Sequence, residues 1–151
     1  MNVRVNIHYK KEDYVQGYVN IPCDGEISLP KEINIEKHSI DYININDSLE
    51  YVDDNQLNTI LEFCKNNLAY NGQLTLIYID IIEFARRLST GLLKLEDFRN
   101  ILFKKTHMFT RDEIVSIVNL IHKGIQIQKE ELYGYRGKIT ATKSAEHNNT
   151  L

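Results

Sequence analysis

The sequence predicts an α/β domain, a mainly parallel sheet flanked by helices and closed by an antiparallel C-terminal β-hairpin. Three observations carry this expectation. Strand-like and helix-like stretches alternate through the middle of the chain, and that order calls for crossover connections between parallel strands. Leu74 to Ile79 is apolar at nearly every position, which suits a strand covered on both faces. Two strand-like runs at the end, 125–132 and 135–142, are separated by Tyr133-Gly134, a short turn of the hairpin kind.

Taken in order, Val3-Arg4-Val5-Asn6-Ile7 alternates apolar and polar residues, the period of a half-buried strand. A polar run follows, and Tyr18-Val19-Asn20-Ile21 reads as a second short strand stopped by Pro22. Residues 23–38 read as loop, with Gly25 and Pro30 as punctuation; Glu26-Ile27-Ser28-Leu29 is a candidate third short strand. Ile40 to Asn46 is a stronger strand. Asp53, with Gln56 three residues on, caps a helix whose Leu57, Ile60, Leu61, Cys64 and Leu68 share a face. Asn71-Gly72 is expected to end it, before the strand at 74–79. Residues 81–103 are helical in character, broken at Ser89-Thr90-Gly91. Thr110 and Glu113 form a capping box for a helix with Ile114, Ile117, Val118 and Ile121 on one stripe, ended by Gly124. The expectation is one domain over residues 1–143 and a flexible tail over 144–151.

Composition excludes several classes. The formal net charge is -3, so the chain as a whole is no polycation for nucleic acid or an anionic membrane. The charge is uneven: residues 24–62 carry ten acids and two bases, residues 86–111 seven bases and two acids. The basic segment lacks the aromatic interleaving of single-strand binders and reads as a solvated helix face. Two cysteines, Cys23 and Cys64, make neither a disulfide framework nor a zinc spacing. The five histidines have no metal spacing, so no metal is expected. No phosphate loop, nucleophile elbow or nicotinamide fingerprint is present. The opening residues do not read as a secretory signal, and no apolar run reaches the ~20 residues of a membrane span. A cytoplasmic location without membrane contact is the expectation.

A resemblance covers roughly residues 3–143. The run from Ser39 to Asp54, the helix leading to Asn71-Gly72-Gln73-Leu74, the segment Phe109-Thr110-Arg111-Asp112-Glu113-Ile114 with Gly124-Ile125 beyond it, and the closing hairpin resemble, in order and spacing, the later half of class I S-adenosylmethionine-dependent methyltransferases. Val5 to Lys10 followed by Gly17-Tyr18-Val19-Asn20-Ile21-Pro22 is similar to the start of a compact branch of that family. The resemblance implies a Rossmann-like, methyltransferase-like fold and S-adenosylmethionine as cofactor. It places the cofactor contacts at His8 and Tyr9 after the first strand, Asp24 after the second, and Asn46 and Asp47 after the strand at 40–46. It places catalysis at Glu50, a candidate general base, and at Tyr51, which stands where the family has an imidazole.

The chain departs from the family at those positions. The glycines after the first strand, which let backbone approach the cofactor's methionine portion, are replaced by His8, Tyr9 and Lys10. The acid that ends the second strand and holds the ribose hydroxyls is replaced by Pro22, with Asp24 two residues later. The expectation is therefore a methyltransferase-like domain degenerate in S-adenosylmethionine binding, a pseudoenzyme acting as a binding or assembly module. The alternative is an active transferase with an altered cofactor loop and an unidentified methyl acceptor. A second copy of the chain or another protein is the expected partner, and nucleic acid is not.

Overall fold

The computed structural model describes residues 2–24, 26–31, 33–105 and 107–145; Gly25 and the tail from residue 146 lie outside them. Among the described residues six strands form one sheet: β1 (Val3–His8), β2 (Val19–Pro22), β3 (Ile40–Asn46), β4 (Leu68–Ile79), β5 (Ile125–Tyr133) and β6 (Arg136–Lys143). The α-helices among the same residues are α1 (Asp54–Asn67), α2 (Ile81–Ser89), α3 (Leu95–Leu102) and α4 (Arg111–Ile121). The strand order is β2-β1-β3-β4-β6-β5. The pairs among β2, β1, β3 and β4 are parallel, and β6 is antiparallel to both β4 and β5. The mainly parallel sheet, the central β4 and the terminal hairpin match the expectation.

Strand alternation sorts the residues onto two unlike faces. In register across the sheet, Ile21, Ile7, Ile45, Leu76 and Ile139 point one way, as do Val19, Val5, Ile43, Leu74 and Ala141. These pack in one core with Ile60 and Cys64 of α1 and Ile114, Val118 and Ile121 of α4. The opposite face carries the row Asn20, Asn6, Asn44, Thr75 and Thr140. Asn44 Nδ2 donates to Asn6 Oδ1 at 2.8 Å, and Asn6 Nδ2 donates to Asn20 Oδ1 at 2.8 Å.

That ladder also secures the connection from β1 to β2. No α-helix forms there; a 3-10 turn at Lys11–Asp13 is its only helical piece. Asn6 Nδ2 donates to Asp13 O at 2.9 Å. Asn20 accepts from Val15 N–H at 2.9 Å and donates to Val15 O at 2.9 Å and to Tyr18 O at 3.0 Å. Asn6 and Asn20 thus satisfy backbone groups that a helix would satisfy internally, with Asn44 bonded to Asn6 behind them.

Three expectations are corrected. Glu26 to Leu29 does not pair as a strand; Ile27 is buried and Leu29 half-buried against the core without joining the ladder. Asn71-Gly72 does not end α1, which stops at Asn67. The pair lies inside β4 at an irregularity where the partner of Ile40 is Leu68 and the partner of Tyr42 is Gln73. Asn71 has φ 62°, and a Cβ on Gly72 would meet Ala69 O at 2.7 Å, so the bulge needs both residues. α1 ends earlier because Lys143, buried on β6, donates its ammonium to Leu68 O at 2.9 Å. Finally, the hairpin turn is Gly134-Tyr135, with Tyr133 still paired to Arg136. The capping box at Thr110 and the break at residues 89–91 are present as expected.

Candidate functional site

In an open α/β sheet, ligands collect beyond the carboxyl ends of the strands where the order of connections reverses. Here that point lies between β1 and β3, since the chain leaves β1 for β2 on one side and returns to β3 on the other. Register sets Pro22, His8 and Asn46 side by side at this edge. His8 is buried, and its Nδ1 lies 2.9 Å from Lys10 O. The His8 carbonyl accepts from Cys23 N–H at 2.8 Å. Ser48, fully buried, donates its hydroxyl to Ile7 O at 3.0 Å and Asn46 O at 2.8 Å, tying the turn after β3 to the end of β1.

Asp47 makes that turn in a left-handed conformation, φ 45°, which a short polar side chain tolerates better than most. Its Oδ2 is ion-paired with Arg136, while Oδ1 is buried without a hydrogen-bond partner. Tyr9 and Tyr51 stack in parallel, with centroids 4.2 Å apart and planes 1° apart. The Lys105 ammonium sits 4.2 Å from the Tyr51 ring centroid, a cation–π contact. Lys10 approaches the same ring at 5.7 Å. A short 3-10 turn, Leu49–Tyr51, delivers both Tyr51 and Glu50.

Glu50 faces inward. It is fully buried, its Oε1 accepts the Ile79 N–H at 2.6 Å, and its carbonyl accepts His107 N–H at 3.1 Å. Burial pushes its carboxyl above the usual range, opposed by the nearby Lys105 charge and the Ile79 bond. The carboxylate clamps the end of β4 to the turn after β3. Cys23 is also buried, and burial pushes its thiol up to about 11.

The structure therefore brings together His8, Tyr9, Asn46, Asp47, Glu50 and Tyr51. Asp24 does not join them: it is exposed and has no hydrogen bond or ion pair among the described residues. Sequence reasoning missed Ser48, Lys105 and Arg136. Lys105 carried a signal, since it belongs to the basic segment; Arg136, in a hairpin, carried none. No cluster of metal ligands occurs among the described residues, and no helix among them is long and apolar enough to cross a membrane.

The mostly parallel sheet with its closing antiparallel pair matches the fold of solved structures. A methyltransferase from Methanosarcina mazei, named as S-adenosylmethionine-dependent, superposes with a TM-score of 0.56 at 15% identity, over 94% of this chain and 82% of that one. The chain has the class I methyltransferase fold. A geranyl diphosphate methyltransferase, solved in complex with S-adenosylmethionine, has the same fold, with a TM-score of 0.54 at 13% identity over 93% of this chain and 69% of that one. No family model and no curated protein matches the sequence. Similarity at this level of identity shows the fold alone.

The resemblance implies, for S-adenosylmethionine, open backbone after β1 and two acceptors at the end of β2. The stacked Tyr9 and Tyr51 and the buried His8 stand at the first position. Exposed Pro22 and buried Cys23 stand at the second. At both positions the residues differ from those the resemblance implies.

Proposed function

We propose that the chain uses the methyltransferase fold as a scaffold, with its cofactor position closed by its own side chains, and that it acts as a binding or assembly module. The Tyr9–Tyr51 stack with Lys105 upon it carries this reading. Two aromatic faces in contact exclude a ligand from the space between them, and separating them forfeits about 0.5–1.5 kcal/mol beyond the area exposed. The asparagine-secured loop supports the same reading, because it replaces the helix whose N-terminal amides would face an anionic group. At the end of β2 Pro22 stands in place of a carboxylate, with Asp24 exposed two residues on, and an unpaired buried hydroxyl costs about 1–3 kcal/mol.

Calorimetric titration with S-adenosylmethionine and S-adenosylhomocysteine tests this. The expected outcome is no saturable heat and no rise in melting temperature. A low-micromolar dissociation constant for either compound would overturn the proposal in favour of an active transferase with an altered loop.

A further inference from the structure

The opposite end of the sheet, far along the strands from the edge described above, holds a second feature. A cavity of about 430 Å³ opens on the asparagine-bearing face, lined by Asn2, Arg4, Tyr18, Asp41, Tyr42 and Gln73. Arg4, Tyr42 and Gln73 are in register on adjacent strands β1, β3 and β4, so the backbone sets their spacing.

The rings are held in place. Tyr42 OH lies 2.7 Å from Thr75 Oγ1, the Tyr18 and Tyr42 rings meet edge to face at 5.7 Å, and the Arg4 guanidinium lies over the Tyr18 ring at 6.0 Å. The polar groups are not spent. Among the described residues, Arg4 has no carboxylate partner, Asp41 no cation, and the Asn2 and Gln73 amides no hydrogen bond. An arginine and an aspartate line one cavity without pairing with each other.

The geometry points to a binding site for a neutral saccharide, a mono- or disaccharide in size. A guanidinium, a carboxylate and two amides are all planar groups that can engage two neighbouring hydroxyls at once. The crossed tyrosines offer an apolar corner to the C–H face of a pyranose ring. The charges of Arg4 and Asp41 cancel, so a phosphorylated ligand gains from one and loses to the other. Both are solvent-exposed, where a single ion pair adds little; affinity must come from paired hydrogen bonds and ring contact. This inference does not depend on whether the cofactor edge is closed.

Amide NMR titration of the full chain tests it, using glucose, galactose, mannose, N-acetylglucosamine, maltose and lactose as probes. We expect saturable shifts in the millimolar range for at least one sugar, centred on residues 2, 4, 18, 41, 42 and 73. Arg4→Ala and Asp41→Ala, both at exposed positions, should each weaken that binding about tenfold, as the loss of one charge-assisted hydrogen bond implies. An unchanged amide spectrum elsewhere shows that these variants remain folded. Silence from all six sugars would overturn the assignment. So would shifts that persist unchanged in both variants, or saturation of the same residues by glycine or inorganic phosphate in place of the sugars.

Discussion

The two faces of the sheet are built on opposite principles. One is aliphatic, from Val5 and Ile7 across Ile43, Ile45, Leu74 and Leu76 to Ile139, and lies under α1 and α4. The other is a chain of amides, Asn20–Asn6–Asn44, bonded to each other and to the loop above them. The first is held by apolar area removed from water, which is tolerant of detail. The second is held by directed hydrogen bonds, each worth little net but costly when one partner is lost. A parallel sheet ordinarily has both faces covered; here α1 and α4 cover the aliphatic side, and the loop between β1 and β2 is bonded to the amide side.

The largest effect should separate the faces outright. Leu76→Asp places an unpaired charge in the aliphatic core, at a cost of about 3–5 kcal/mol, and should abolish the cooperative thermal transition. Thr140→Asp, one position along on the neighbouring strand but on the amide face and half-buried, should leave that transition in place. Equal damage from the two would erase the distinction.

A second substitution attacks the amide face directly. Asn6→Leu keeps the volume roughly constant but strands the Asp13 carbonyl and the Asn44 Nδ2, and leaves Asn20 Oδ1 with Val15 N–H as its donor. The expected loss is about 1–3 kcal/mol by urea unfolding, accompanied by faster amide exchange confined to residues 9–18. Faster exchange in α1 instead would mean that the ladder supports the whole fold and not its loop.

Glu50 sharpens the comparison through pH. Burial holds its folded-state carboxyl above the unfolded value. The wild type therefore keeps its full stability below the ordinary carboxylate range and loses part of it as pH rises through the raised value. Glu50→Gln, whose side-chain oxygen can still accept from Ile79 N–H, should be more stable than the wild type at neutral pH, and that advantage should shrink on acidification. Parallel stability curves for the two proteins would show that Glu50 does not titrate in this window.

The smallest effect serves as a reference away from the amide face. Thr110→Ala removes half of the capping box of α4 and should cost about 1 kcal/mol, read as a lower urea midpoint with unchanged slope.

Much of the aliphatic face was legible in the sequence, because periodicity reports burial directly: Ile114, Val118 and Ile121 fall at helical spacing, and 74–79 reads as a strand. The amide face was not legible. Asn6, Asn20 and Asn44 occupy the polar positions of alternating strands, where water is the ordinary partner, and nothing local says that three such positions align in register. The end of α1 was misread for the same reason. Asn71-Gly72 is a sound local stop signal, but the lysine that bonds the Leu68 carbonyl, where α1 gives way to β4, stands 75 positions away at Lys143. At the candidate site, order along the chain placed His8, Tyr9, Asn46, Asp47, Glu50 and Tyr51 at one edge. It could not tell that Glu50 turns inward to a backbone amide, or that Tyr9 lies flat on Tyr51.

The two cysteines give the molecule its own clocks. Cys23 and Cys64 are both fully buried, and burial pushes their thiols up to about 11 and about 12, so neither carries appreciable thiolate at neutral pH. Each reacts with an alkylating reagent only in the moments when its surroundings part. Both lie in the aliphatic core, Cys23 at the end of β2 with its backbone amide bonded to the His8 carbonyl and Cys64 inside α1. The ratio of their labelling rates reads, on one chain and without any substitution, how often the edge breathes for each time the whole protein comes apart.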